Sequence, residues 1–83
     1  MKVLKNEGNY VEIEIDEDMG FLNLLVDRIW NEPGVETCSV VKDHPYLSKP
    51  KLIVEAKNPK NVITNALKKI EKDIKAFETA LKS

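Results

Sequence analysis

From Ile63 onward, the apolar side chains of this 83-residue chain fall at Ile63, Leu67, Ile70, Ile74, Phe77 and Leu81. The steps are four, three, four, three and four, the rhythm of a seam along one helix that lies against another helix. No other feature constrains the fold as tightly, because so short a chain has little surface with which to cover such a seam. The helix reads from Pro59 to Lys82, about 36 Å at ~1.5 Å per residue. A four-stranded sheet spans only about 19 Å across its strands. The second half of the seam, Ile74, Phe77 and Leu81, is therefore expected to overhang the domain and to need a partner. The first half has a second reading, in which it packs on the chain's own sheet and first helix.

Written as heptads, Leu67, Ile74 and Leu81 take position a, and Ile63, Ile70 and Phe77 take position d. Ala66, Asp73 and Ala80 fall at g, where the small residues permit close approach of another helix. Thr64, Glu71 and Glu78 fall at e. The lysines sit elsewhere: Lys68, Lys75 and Lys82 at b, Lys69 at c and Lys72 at f, a wet back to the helix. Glu71 and Glu78 precede Lys75 and Lys82 by four residues, which favours ordinary pairing along the helix over contact with nucleic acid.

The rest of the chain reads as a small sheet and one more helix. Lys2 to Lys5 is a short strand, and the NEGN turn at 6–9 gives Gly8 a position suited to positive φ. Tyr10 to Ile15 alternates Val11, Ile13 and Ile15 with Glu12 and Glu14, a strand with one wet face. Asp16 or Asp18 caps a helix from about Met19 to Asn31, which NEPG at 31–34 ends. Its apolar arc takes in Phe21, Leu22, Leu25, Val26, Ile29 and Trp30, with Leu24 extending it beside Arg28, so wide an arc that cover from two sides is expected. Val35–Lys42 and Lys51–Lys57 are β-branched strands around the loop DHPYLSKP. Asn58-Pro59 opens the last helix. The order β-β-α-β-β-α makes an α+β fold with a four-stranded sheet and two helices, residues 1–83 forming a single domain.

Composition narrows the function classes. A single cysteine, Cys38, and a single histidine, His44, leave no disulfide framework and no Cys/His zinc site. A partner subunit is then the expected supplement to a small core. Net charge is −1 with 33% charged residues, without the basic excess of a dedicated nucleic-acid binder. No run reaches the length of a membrane span, and no signal-peptide core opens the chain, so a cytoplasmic protein is expected. No catalytic constellation, cofactor motif or metal site is read. His44 beside Asp43 is read as a loop histidine packed at a turn, Cys38 as a buried inert thiol, and Asp16, Glu17 and Asp18 as acids favoured by a helix start. Trp30 has two readings, an anchor for a partner or a plug in the domain's own core.

Four stretches carry a resemblance: DEDMGFLNLLVDRI at 16–29, GVETCSVVKDHP at 34–45, KPKLIVEAKNP at 49–59 and NALKKIEKDIKAF at 65–77. Together they resemble the archaeal DNA-directed RNA polymerase subunit L family, related to the small alpha-like subunit of eukaryotic polymerases and to the bacterial alpha dimerisation domain. That family opens its first helix with an Asp-His-Thr-Leu-Gly-Asn-Leu-Leu-like motif. Here the residues are Asp18, Met19, Gly20, Phe21, Leu22, Asn23, Leu24 and Leu25, so Met19, Gly20 and Leu22 replace the His, Thr and Gly. The resemblance implies an alpha-dimerisation-like fold and a non-catalytic role in transcription. It further implies that the two helices pair with the polymerase's larger, D-type alpha-like subunit, and that the large subunits assemble on the pair. The partner contact is then expected at Phe21, Leu22, Leu25, Ile29 and Trp30 of the first helix and Leu67, Ile70, Ile74, Phe77 and Leu81 of the second. A paralogous module that pairs with itself through the same helices is the alternative. No direct nucleic-acid contact and no membrane contact are expected.

Overall fold

The structure, a computed structural model, describes residues 2–42 and 49–82. His44 and Pro45 lie outside the described residues. Along the chain run β1 (Lys2–Glu7), β2 (Tyr10–Glu14), α1 (Met19–Trp30), β3 (Val35–Val41), β4 (Lys51–Ala56) and α2 (Pro59–Lys82). The strands form one antiparallel sheet in the order β1-β2-β4-β3. This is the α+β order expected from the sequence, with element ends within two residues of those read from it.

Local chemistry sets the boundaries. Glu7 pairs with Tyr10 across a two-residue turn, and positive φ falls only on its first residue, Gly8 at 55°. That is the requirement of a II′-type hairpin, which glycine meets without a Cβ clash. Of the two candidate caps for α1, Asp18 takes the role: its carboxylate accepts from the backbone N–H of Gly20 at 2.9 Å and of Phe21 at 3.3 Å. Beyond α1, Gly34 turns the chain at φ 83°, and its carbonyl accepts from the Lys57 N–H at 3.0 Å. The first bond of α2 runs from the Val62 N–H to the Asn58 carbonyl at 3.2 Å, as an Asn-Pro helix start requires.

Alternation in β2 and β4 puts Val11, Ile13, Leu52, Val54 and Ala56 on one face of the sheet. Both helices cover that face. Leu22, Leu25 and Ile29 of α1 and Val62, Ala66 and Ile70 of α2 complete the core with Cys38 and Ile15. The opposite face is polar: the Tyr10 hydroxyl donates to Glu12 at 3.1 Å, and Lys51 lies 3.9 Å from the same carboxylate. Cys38 sits in the core, and burial pushes its thiol up to about 11. At about pH 8 the native protein is expected to resist iodoacetamide, since the thiolate is the reactive form, and to be labelled once urea unfolds it. Rapid labelling without denaturant would contradict the buried placement.

Ala66, a position that permits close approach of another helix, is buried in the chain's own core. The close approach it permits is used within the protomer. The lysines of α2 are exposed, as a wet back requires, and one of them also pairs across the domain. Lys69 reaches across to Glu32, whose side chain is only 5% exposed. This pairing satisfies a buried carboxylate just past the end of α1. Lys69→Met leaves that carboxylate without its cation and is expected to cost about 1–3 kcal/mol in a urea melt. A loss below about 0.5 kcal/mol, typical of surface substitutions, would show the pair to be incidental.

Candidate partner-binding surface

Two rows of apolar residues run along α2, and the fold uses only one of them internally. The buried row is Pro59, Val62, Ala66 and Ile70. The other is the heptad seam, in which Ile63 is half-buried and Leu67 is exposed at the edge of the sheet. The rows meet at Ile70. Past that point the helix runs out beyond the buried core, tied to α1 through Asp73: Ile74 is 53% exposed, Phe77 65% and Leu81 71%. The expected overhang is present in the protomer.

Where α2 leaves the core, it forms a groove with α1. Phe21, Leu24, Ile70, Ile74 and Phe77 give it apolar walls, and Arg28 and Asp73 are its polar members. Its volume is about 250 Å³. The Arg28 guanidinium spans it, donating from Nη2 to Asp73 Oδ2 at 3.1 Å, while Nη1 lies 3.5 Å from Asp27. A second apolar cleft of about 170 Å³ opens between the sheet and the helices, lined among others by Ile13, Ile15, Leu52, Ile63 and Leu67. Phe21 lines both openings. The apolar surface is thus continuous from Leu67 across Phe21 to Ile74 and Phe77. An exposed apolar stripe of this kind is a candidate interaction surface.

Residues expected at a partner contact divide accordingly. Phe21, Leu67, Ile70, Ile74 and Phe77 line these openings, and Leu81 continues the overhang. Leu22, Leu25 and Ile29 form the stripe by which α1 lies on its own sheet, with exposures of 1%, 2% and 0%. In the folded protomer they are core residues, and Leu25 also lines the second cleft. Trp30 is 48% exposed, which removes the core-plug reading. It stands on the flank of α1 away from the groove, about 140° from the bisector of Leu24 and Arg28 at ~100° per residue. Leu24, Arg28 and Asp73 were absent from the expected set. Their signal was in the sequence, since Leu24 flanks Arg28 on the apolar arc and Asp73 lies beside the seam.

Among the described residues no group of three His, Cys, Asp or Glu side chains could hold a metal ion. Asp18 is occupied in capping α1, and Asp16 lies 3.7 Å from Lys49. Among the described residues, no helix is long and apolar enough to cross a membrane.

Residues 10–80 match the family described as the RNA polymerase Rpb3/Rpb11 dimerisation domain. The chain belongs to that family. Its fold superposes on the crystal structure of DNA-directed RNA polymerase subunit L from Thermoplasma acidophilum with a TM-score of 0.86 and 26% sequence identity. The match covers 98% of this chain and 83% of that one. No curated protein sequence matches the chain. This Rpb3/Rpb11-type chain is thus an L-type dimerisation subunit.

Proposed function

We propose that the chain, acting as one dimerisation domain, is a non-catalytic subunit of an archaeal DNA-directed RNA polymerase. It pairs with the larger, D-type alpha-like subunit, and the resulting heterodimer is the platform on which the large subunits assemble in the cytoplasm. The observation that carries this reading is the overhang of α2, with Ile74, Phe77 and Leu81 all more than half exposed beside an apolar groove. Fully burying one such side chain contributes about 1.5–3 kcal/mol, so covering this stripe supplies a large driving force for a protein of this size. Helices laid in the groove from a partner's own α1 and α2 would place apolar rows against apolar rows, the standard geometry of helix packing. Neither cofactor nor nucleic acid is needed for this role.

The test is recovery of the tagged chain from its native cells, followed by mass-spectrometric identification of what accompanies it. An alpha-like subunit together with the large polymerase subunits is the expected result. Recovery as a symmetric self-dimer, free of polymerase subunits, would replace this reading by the paralogous module that pairs with itself.

A further inference from the structure

We propose that the Arg28–Asp73 ion pair determines partner specificity at the groove, by requiring a basic, hydrogen-bond-donating side chain on the helix that covers it. This inference rests on the docking face proposed above and deepens it. Arg28 and Asp73 are the charged residues in an otherwise apolar lining, and they are joined to each other at 3.1 Å across the two helices. In the free protomer both remain wet, with side chains 34% and 62% exposed. A helix laid in the groove removes that water.

The local charge balance then decides what the helix must bring. Arg28 carries one positive charge, and Asp73 and Asp27 both approach it, at 3.1 Å and 3.5 Å. The cluster is therefore short of one positive charge. Asp73 meets Arg28 through Oδ2. Its other oxygen accepts no hydrogen bond from the described residues. Covered by an apolar helix, that acceptor loses water and gains nothing, a costly arrangement. Covered by a helix with a lysine or arginine at this point, it gains a charge-assisted bond and the cluster becomes neutral. A second carboxylate there would be repelled.

Buried ion pairs often add little affinity compared with apolar residues of similar size, but a polar group in an apolar seam can fix register and partner choice. The same logic weighs against self-pairing. A second copy presents a groove face with the same one-charge deficit, so the two faces lack the cation that each requires. Apolar area would favour either partner, whereas the charge cluster separates them.

The experiment measures two dissociation constants for each variant, one for self-association by sedimentation and one for the alpha-like subunit of the same organism by calorimetry. The discriminating quantity is their ratio. Arg28→Met with Asp73→Leu removes the polar requirement while keeping the bulk. It is expected to bind the alpha-like subunit within about tenfold of wild type but to lower the ratio at least tenfold, because self-association strengthens. Asp73→Asn preserves an acceptor for Arg28 and removes the charge excess. It is expected to weaken heterodimer binding by about tenfold and to flatten its salt dependence. Both positions are solvent-accessible in the protomer, and thermal melts confirm that the variants fold. A ratio within about threefold of wild type in the double variant, with an unchanged salt dependence for Asp73→Asn, overturns the inference. Ile74→Asp on the same probes separates the two levels. If it leaves heterodimer binding intact, the docking face itself is wrong and the inference falls with it; if it abolishes binding while the ratio stays constant, only the specificity role falls.

Discussion

Ile74→Asp is expected to abolish measurable pairing with the alpha-like subunit while leaving the protomer's thermal midpoint close to that of wild type. The separation follows from where the side chain stands. In the free chain Ile74 is 53% exposed on the overhanging part of α2, so a carboxylate there stays hydrated. Surface substitutions of this kind change stability by about 0.5 kcal/mol or less. In the complex the same position lies in the covered groove, where an unpaired charge costs about 3–5 kcal/mol. At ~1.4 kcal/mol per tenfold, that is a loss of roughly two to four orders of magnitude in affinity. Calorimetric titration with the purified alpha-like subunit measures it. Binding within tenfold of wild type would show that Ile74 does not face the partner.

Ile29→Ala should reverse the pattern. Ile29 is fully buried between α1 and the sheet, and truncating it leaves a cavity that a small, tightly packed domain relaxes into only partly. The expected cost is about 2–5 kcal/mol of unfolding free energy. A domain of this length has about 4–12 kcal/mol in total, so the variant loses a large share of its stability. Where it remains folded, at low temperature and without denaturant, its affinity for the partner should stay near wild type because the groove is unchanged. A urea melt and a titration on the same preparation test both halves. A stability change under about 1 kcal/mol, well short of the cavity cost, would contradict the core placement of Ile29, and a folded variant unable to pair would return this residue to the interface.

The contrast between these two residues marks how far the sequence alone reached. Helix α2 begins at Pro59 and ends at Lys82 as read from it, because Asn58-Pro59 is a local start signal that tertiary packing does not alter. The face of β2 was equally plain, since alternation with period two leaves one choice of buried side, whereas the consecutive Leu52, Ile53 and Val54 of β4 marked a strand without fixing its face. What periodicity could not settle was rotation about a helix axis. Along α2 both the Val62–Ala66–Ile70 row and the Ile63–Leu67–Ile70 row are apolar, and only the position of the sheet decides which is buried. In α1 the arc is wide enough that Leu22, Leu25 and Ile29 could face either a partner or the chain's own sheet, and the sheet takes them. Long-range polar pairs were illegible for a different reason. Glu32 and Lys69, like Arg28 and Asp73, lie far apart in sequence, and no spacing rule links residues brought together only by the α1–α2 crossing. The overhang was legible because it depends on lengths alone: 24 residues of helix exceed the width of a four-stranded sheet.

Dimerisation through a helix that outruns its own domain is tested most directly by backbone hydrogen exchange, followed residue by residue in the free chain and in a binary mixture with the alpha-like subunit. Within α2, residues 78–82, beyond the Arg28–Asp73 pair and the groove walls that tie the helix to α1, should exchange readily in the free chain and should slow at least roughly tenfold on mixing, with residues 21–28 of α1 slowing beside them. Exchange at 78–82 that is already slow in the isolated monomer, or that stays fast in a mixture shown by sedimentation to be fully complexed, would contradict it.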